Sequence, residues 1–261
     1  MLTVQNFSGG LLSPVLGYIV SCLGAFLGLR CITRASYYRQ TRSRVRWLAA
    51  GAMAIGATGI WAMYLIAMLG FAIPGQRITY NVPITIASLL IVVVVVGAGV
   101  FTVGFGNGSP RRLLAGGLIV GSGILAMHYL GMTAMIMRNS VSYRLPLLVL
   151  SVVIAVVAGT AALWIGTSSR GIGATAAASL VMGLAVSGMH YTAMAAMRFN
   201  PGAMPAMPGM SAESFLLPMV VAITLATFVL AVIINVSPTE GELRDDADFL
   251  SRLELMERSH R

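Results

Sequence analysis

Met127-His128-Tyr129 and Met189-His190-Tyr191 repeat one pattern inside two apolar stretches. The same methionine pair follows each copy: Met132 with Met135, and Met194 with Met197. A histidine at bilayer depth is costly to keep, so two in matching contexts point to a buried site. The third histidine, His260, stands in the C-terminal tail. On a helix His128 and Met132 lie four apart and Met135 three further on, so one face carries an imidazole and two thioethers. His190, Met194 and Met197 repeat that face, with Met127 and Met189 just beside it. Imidazole with several thioethers is the donor set that suits copper, above all Cu(I). Magnesium and calcium prefer oxygen donors, and no carboxylate lies in any apolar stretch. Structural zinc calls for thiolates or more histidines. The alternative cofactor is haem, held by both histidines or by one histidine and a methionine. Against any site stands plain packing. Methionine is a flexible apolar filler, and an intramembrane histidine can simply bond a serine or carbonyl on a neighbouring helix.

A second methionine run, Met204, Met207 and Met210, follows the second copy, with Pro201, Pro205 and Pro208 keeping it extended. It is placed to collect soft metal for the buried site. Cys22 and Cys31 lie nine apart on or near the first apolar stretch, where a continuous helix forbids a disulfide between them. Cys22 is a third-ligand candidate by depth alone.

The elements that must position these residues are transmembrane helices. The chain of 261 residues is 57% hydrophobic and 10% charged, where soluble domains carry about 25% charge. Seven stretches can cross about 30 Å of hydrocarbon: near Leu11–Leu29, Trp47–Phe71, Val82–Phe105, Leu113–Met137, Leu145–Thr167, Gly173–Met197 and Phe215–Val236. The expected fold is all-α, a seven-helix membrane bundle over residues 1–236 with a short charged tail, 237–261. The net charge of +9 comes from arginine alone and does not indicate nucleic acid. Thirteen arginines fall on the side of the first, third and fifth loops and the tail. Arg77, Arg138, Arg144 and Arg198 fall on the other. The positive-inside rule then puts the N-terminus outside and the C-terminus in the cytoplasm of a plasma-membrane protein, with arginines touching anionic lipid.

An internal repeat is visible. Met63, Met127 and Met189 are 64 and 62 residues apart, each in a second, fourth or sixth stretch after a plain one. Three two-helix units plus a final helix run in parallel. All three motifs therefore share one depth, in the outer half of the bilayer.

Trp61-Ala62-Met63-Tyr64-Leu65-Ile66, Met127-His128-Tyr129 and Met189-His190-Tyr191-Thr192 resemble the three motifs of the bacterial MHYT family of membrane sensor domains. The resemblance covers Leu11 to Val236. It implies copper bound by Met and His residues near the outer face, a response to oxygen, carbon monoxide or nitric oxide, and attachment in many members to cyclic-di-GMP or histidine-kinase domains. The chain departs from the pattern at Tyr64, where the family has histidine. Tyrosine is a poor ligand for Cu(I), so Met63 and Met68 become accessory sulfur donors and Tyr64 a hydrogen-bond donor to a diatomic or an imidazole. The tail after Val236 is expected to be too short for a catalytic domain and to form an amphipathic or solvated segment.

The expected function is a sensor read by a separate cytoplasmic signalling protein. The alternative is a copper-handling or assembly factor for a respiratory complex. An enzyme is not expected: no nucleophile, base and acid converge, since Glu213 is the one acid outside the tail. Gly104-Phe105-Gly106-Asn107-Gly108 lacks the lysine and strand–helix context of a phosphate loop.

Overall fold

The computed structural model describes residues 10–38, 40–74, 77–106, 109–137, 139–168, 171–201 and 209–237. Met204, Met207 and the tail from 238 on lie outside the described residues. Among the described residues, seven helices are long and apolar enough to span a membrane: α1 (Leu12–Tyr37), α2 (Thr41–Leu69), α3 (Val82–Gly104), α4 (Pro110–Thr133), α5 (Leu145–Ser168), α6 (Ile172–Ala196) and α7 (Ala212–Val236). Their starts follow local chemistry. Asn81 caps α3 by accepting from the Ile84 amide at 3.1 Å, and Pro83 occupies the first turn, where a missing N–H costs nothing. Ser211 caps α7 by accepting from the Ser214 amide at 3.2 Å.

Each of the first six helices packs against the next, and α6 returns to α1, so the six close into a ring. The seventh, α7, lies against α2 and α1. Buried small residues let the helices approach. A side chain at Gly24 of α1 would collide with the backbone of Gly59 in α2. Lipid-facing positions stay apolar and exposed, as Leu217, Val221, Leu225 and Phe228 do on α7.

The loops after α2, α4 and α6 meet at one end of the bundle, where five short strands among the described residues cap it. Here β1 (Thr79–Tyr80) pairs antiparallel with β2 (Met135–Ile136) and with a final strand, Met210–Ser211. Next to them β3 (Asn139–Tyr143) pairs with β4 (Met197–Pro201), and the final strand is β5. Non-helical backbone at this depth bonds to itself. The Asn81 amide donates to Ala134 O at 2.8 Å and the Arg144 amide to Ala196 O at 2.7 Å.

Helix α2 differs from an ordinary span. Between Ala54 and Ala62 it widens into π-type turns, then returns to α geometry from Met63 to Leu69. Every residue of the widened part is buried. Such turns are rare and cluster at functional sites, and this one ends directly before Met63-Tyr64.

At the opposite end of the ring, arginines cap helix C-termini. Arg34 donates to Ile234 O and Ser237 O at the end of α7, with its guanidinium 4.6 Å from the Trp47 ring centre. Arg44 donates to Gly104 O and Arg112 to Phe105 O at the end of α3. Cations placed there satisfy orphan carbonyls and match the negative end of each helix dipole.

Candidate functional site

Tyr64, His128 and His190 stand within about two turns of the ends of α2, α4 and α6. Because those three helices run in parallel, the three rings arrive in one layer beneath the strand cap. The imidazole centroids lie 5.1 Å apart at 85°. The Tyr64 ring lies 5.9 Å from His128 and 5.8 Å from His190, again edge to face. The residue following each histidine flanks the layer: Tyr129 is 5.2 Å from His128 and Tyr191 is 5.0 Å from His190.

Burial of this layer is complete. His128 is 0% exposed, Tyr64 1% and His190 2%. Most buried polar atoms in proteins are paired, yet here several are not. Both nitrogens of His128, Nδ1 of His190, the Tyr64 hydroxyl and the Ser187 hydroxyl, one turn before His190, have no hydrogen-bond partner among the described residues. Leaving such groups bare costs about 1–3 kcal/mol each. A concentration of orphaned donors and acceptors in one dry layer is what a bound ligand or metal would satisfy.

The surroundings fix the rings. The Trp61 indole donates to Ser88 Oγ at 2.9 Å, and Ser88 donates to Thr85 O at 2.6 Å, pinning α2 to α3 one turn before Tyr64. Gly131, one turn beyond His128 on α4, faces the phenol. A Cβ there would fall 2.7 Å from Tyr64 Cζ and Oη. The Tyr129 and Ser151 hydroxyls share a hydrogen bond at 3.2 Å.

Met63, Met68, Met127, Met132, Met135, Met189, Met194 and Met197 are all buried in the single core cluster that contains Tyr64. The expected helical ladder is nonetheless broken in both copies. Helix α4 ends at Thr133 and α6 at Ala196, so Met135 lies on β2 and Met197 on β4. The cause is strand pairing: Met135 stands opposite Tyr80 and Met197 opposite Tyr143. His128 with Met132, and His190 with Met194, keep their shared helical faces. Of the second run, Met210 is on β5 opposite Tyr80 and exposed, while Met204 and Met207 lie outside the described residues. Cys22 does not join the layer. It packs beside Gly183, about two turns along α6 from His190. Both cysteines are free thiols.

Residue type and spacing alone did not mark Gly131, Ser88 or Tyr80. Tyr80, on β1 of the strand cap, is itself buried, and burial pushes its phenol well up from the usual value. The one sequence signal for it was its place just before the Asn81 cap.

Comparison with known proteins gives a consistent result. The model of a family described as the bacterial signalling protein N-terminal repeat, MHYT, matches residues 58–117, 121–179 and 183–244. Its phase pairs each motif with the helix that follows, so α1 is left outside the matched repeats. The bifunctional diguanylate cyclase/cyclic di-GMP phosphodiesterase MucR of Pseudomonas aeruginosa is 38% identical over 87% of this chain and 33% of its own length. The cyclic di-GMP phosphodiesterase NbdA of the same organism is 34% identical over 70% of the chain and 24% of its own length. The signaling protein YkoW of Bacillus subtilis is 28% identical over 77% and 25%. The chain thus spans about a third or less of the curated relatives it matches. No solved structure matches it.

Proposed function

The chain belongs to the bacterial signalling family that carries the MHYT N-terminal repeat, and from that premise we propose that this membrane signalling protein senses copper through the layer formed by His128 and His190. The coarse role follows from the family: a multi-pass membrane protein in signal transduction. The finer reading rests on one observation. Two imidazoles from successive repeats meet at 5.1 Å, and both nitrogens of His128 and Nδ1 of His190 are buried with no hydrogen-bond partner among the described residues, amid buried thioethers.

The donors fit a soft, low-charge ion. His128 and His190 would hold it through ring nitrogen, with Met132 and Met194 on the same helical faces. Met127 and Met189, and the accessory Met63 and Met68, add sulfur from the same core cluster. Bound copper would supply a cation that pulls α4 and α6 together and an electrophilic centre for a small ligand. The residues themselves position the donors and exclude water. Rings that meet edge to face at this distance leave no slab-shaped gap for a macrocycle between them, which favours copper over haem.

A signal needs a conformation that the ligand prefers. Helix α7 is the element we assign to carry it. It packs on the widened part of α2 through a buried hydrogen bond of 2.6 Å between Thr58 and Thr227, and Arg34 holds its far end. On the arginine distribution, the strand-capped end faces outward and the Arg34 end the cytoplasm. There a cytoplasmic output domain or partner would read α7, in keeping with the cyclic-di-GMP enzymes among the relatives.

Metal analysis of the purified protein tests the reading. Wild type is expected to retain copper. His128→Ala or His190→Ala is expected to weaken Cu(I) binding at least tenfold, about 1.4 kcal/mol. Equal Cu(I) affinity in wild type and the double variant overturns it.

A further inference from the structure

Seventeen arginines face only eight acids in this chain, and seven of those acids lie after Ser237. We propose that the acidic segment 240–248 docks on Arg42 and Arg46 at the inner end of α2. This docking needs no copper and stands whatever the buried layer holds.

The receiving face comes first. Arg42 and Arg46 lie four apart on one face in the first turns of α2, and both are exposed. Like charges at that spacing repel, and a helix start is the positive end of its dipole, so two cations are disfavoured there on both counts. Arg44, between them in sequence, has an outlet. It donates to Gly104 O at the end of α3, with its guanidinium 5.0 Å from the Phe105 ring centre. The exposed pair lacks a nearby counter-charge. Among the described residues the one carboxylate is Glu213, in the first turn of α7 at the opposite end of the bundle.

The chain leaves α7 beside this pair. Leu230 and Ile234 of α7 share a small apolar cluster with Trp47, Ala50 and Ala54 of α2. Arg34 donates to Ser237 O while its guanidinium lies 4.6 Å from the Trp47 ring centre. Trp47 directly follows Arg46, and Arg42 is one turn further along. An extended chain advances about 3.3–3.6 Å per residue, so Glu240 and Glu242 reach about 10 and 17 Å from Ser237. Both arginines fall within that reach.

Charge selects the occupant. Residues 240–248 carry five carboxylates and one arginine. On the arginine distribution this end faces the cytoplasmic leaflet, whose anionic headgroups repel such a segment. The arginine pair is the favourable positive surface close to its start. Single exposed ion pairs are weak and screened by salt. A tether of a few residues raises the effective concentration to the order of millimolar, so several weak pairs together can hold the segment. Helix α2 then grips the exit of α7 at one end and carries Tyr64 near the other.

Cross-linking tests the docking on the full chain in phosphatidylcholine nanodiscs, with Cys22 and Cys31 replaced by alanine. Ser43→Cys on α2 and Gly241→Cys are joined by a short bismaleimide. An intramolecular cross-link is expected in good yield at low salt, falling as salt rises. Arg42→Glu with Arg46→Glu is expected to lower the yield about fivefold, the scale of a few exposed ion pairs. Adding Glu240→Arg with Glu242→Arg is expected to restore it, which a general loss of structure would not allow. If the charge-reversed protein fails to fold, the salt dependence with native charges decides alone. A yield indifferent to salt and to the arginines overturns the proposal. So does a cross-link that forms in phosphatidylcholine and disappears in phosphatidylglycerol nanodiscs, because lipid headgroups then hold the arginines. Either failure leaves histidine-dependent copper binding untouched.

Discussion

His128 and His190 meet edge to face with ring centroids 5.1 Å apart, although they belong to different repeats of the chain. Neither ring reaches the other through its own helix. The contact exists because α4 and α6 run in the same direction and carry their motifs at the same depth. Parallel repetition thus converts one short motif into a convergent site, and the convergence is what makes a ligand-free layer expensive.

That cost gives the first prediction. A ligand that binds only the folded protein stabilises it by about 2.7 kcal/mol at a concentration a hundredfold above its Kd. Cu(I) held in a reducing buffer is therefore expected to raise the thermal unfolding midpoint of the detergent-solubilised protein. The rise is expected to vanish in the His128→Ala, His190→Ala double variant. A rise of equal size in both proteins places copper elsewhere.

Much of this arrangement was legible in residue type and period. Seven spans follow from hydropathy, and the shared depth of Tyr64, His128 and His190 follows from the repeat. Two features were not. Met135-Ile136-Met137 and Met197-Arg198-Phe199 contain nothing that stops a helix, yet the chain leaves the helix at Thr133 and at Ala196. The strands form because Tyr80 and Tyr143 offer partners from remote loops, and strand formation depends on such context more than on intrinsic preference. The widening of α2 from Ala54 to Ala62 is similarly unreadable. It accompanies close packing of glycines at 56 and 59 on α3 and α1, and glycine recurs throughout this chain without distinguishing such contacts.

Gly131 supplies the second prediction. Gly131→Ala pushes a Cβ to 2.7 Å from Tyr64 Cζ and Oη, so the ring must shift. Overpacking of this kind costs about 1–3 kcal/mol. The cost is expected to be smaller in a Tyr64→Phe background, which removes one of the two clashing atoms. A double-mutant cycle by SDS or thermal unfolding measures the coupling, and strict additivity would show that the two residues do not compete for space.

The third prediction concerns the link between the widened part of α2 and α7. Thr58 and Thr227 share a buried hydrogen bond of 2.6 Å, and Thr227 also bonds Ile223 O at 2.7 Å. Hydrogen bonds between membrane helices average about 0.6 kcal/mol and reach about 1.7. Thr58→Val and Thr227→Val are expected to show coupling in that range. Copper binding should persist in both variants, because neither side chain is a proposed donor. Loss of copper from either one would mean that α7 docking builds the site instead of reading it.

Arg34 carries the last prediction, at the far end of the same helix. Its guanidinium donates to Ile234 O and Ser237 O and lies 4.6 Å from the Trp47 ring centre, tying α1, α2 and α7 together. Two carbonyls are bridged at once, which a planar fork does and a lysine ammonium, as a point charge, does poorly. Arg34→Lys is therefore expected to behave more like Arg34→Ala than like wild type. Hydrogen exchange by mass spectrometry should show faster exchange in both variants, confined to the last turns of α7, where loss of a cap frees the end to fray. Exchange at the α4 and α6 ends beside His128 and His190 should stay unchanged. Uniformly faster exchange would make Arg34 a general support of the bundle and remove it from the proposed route between the buried layer and the far end of α7.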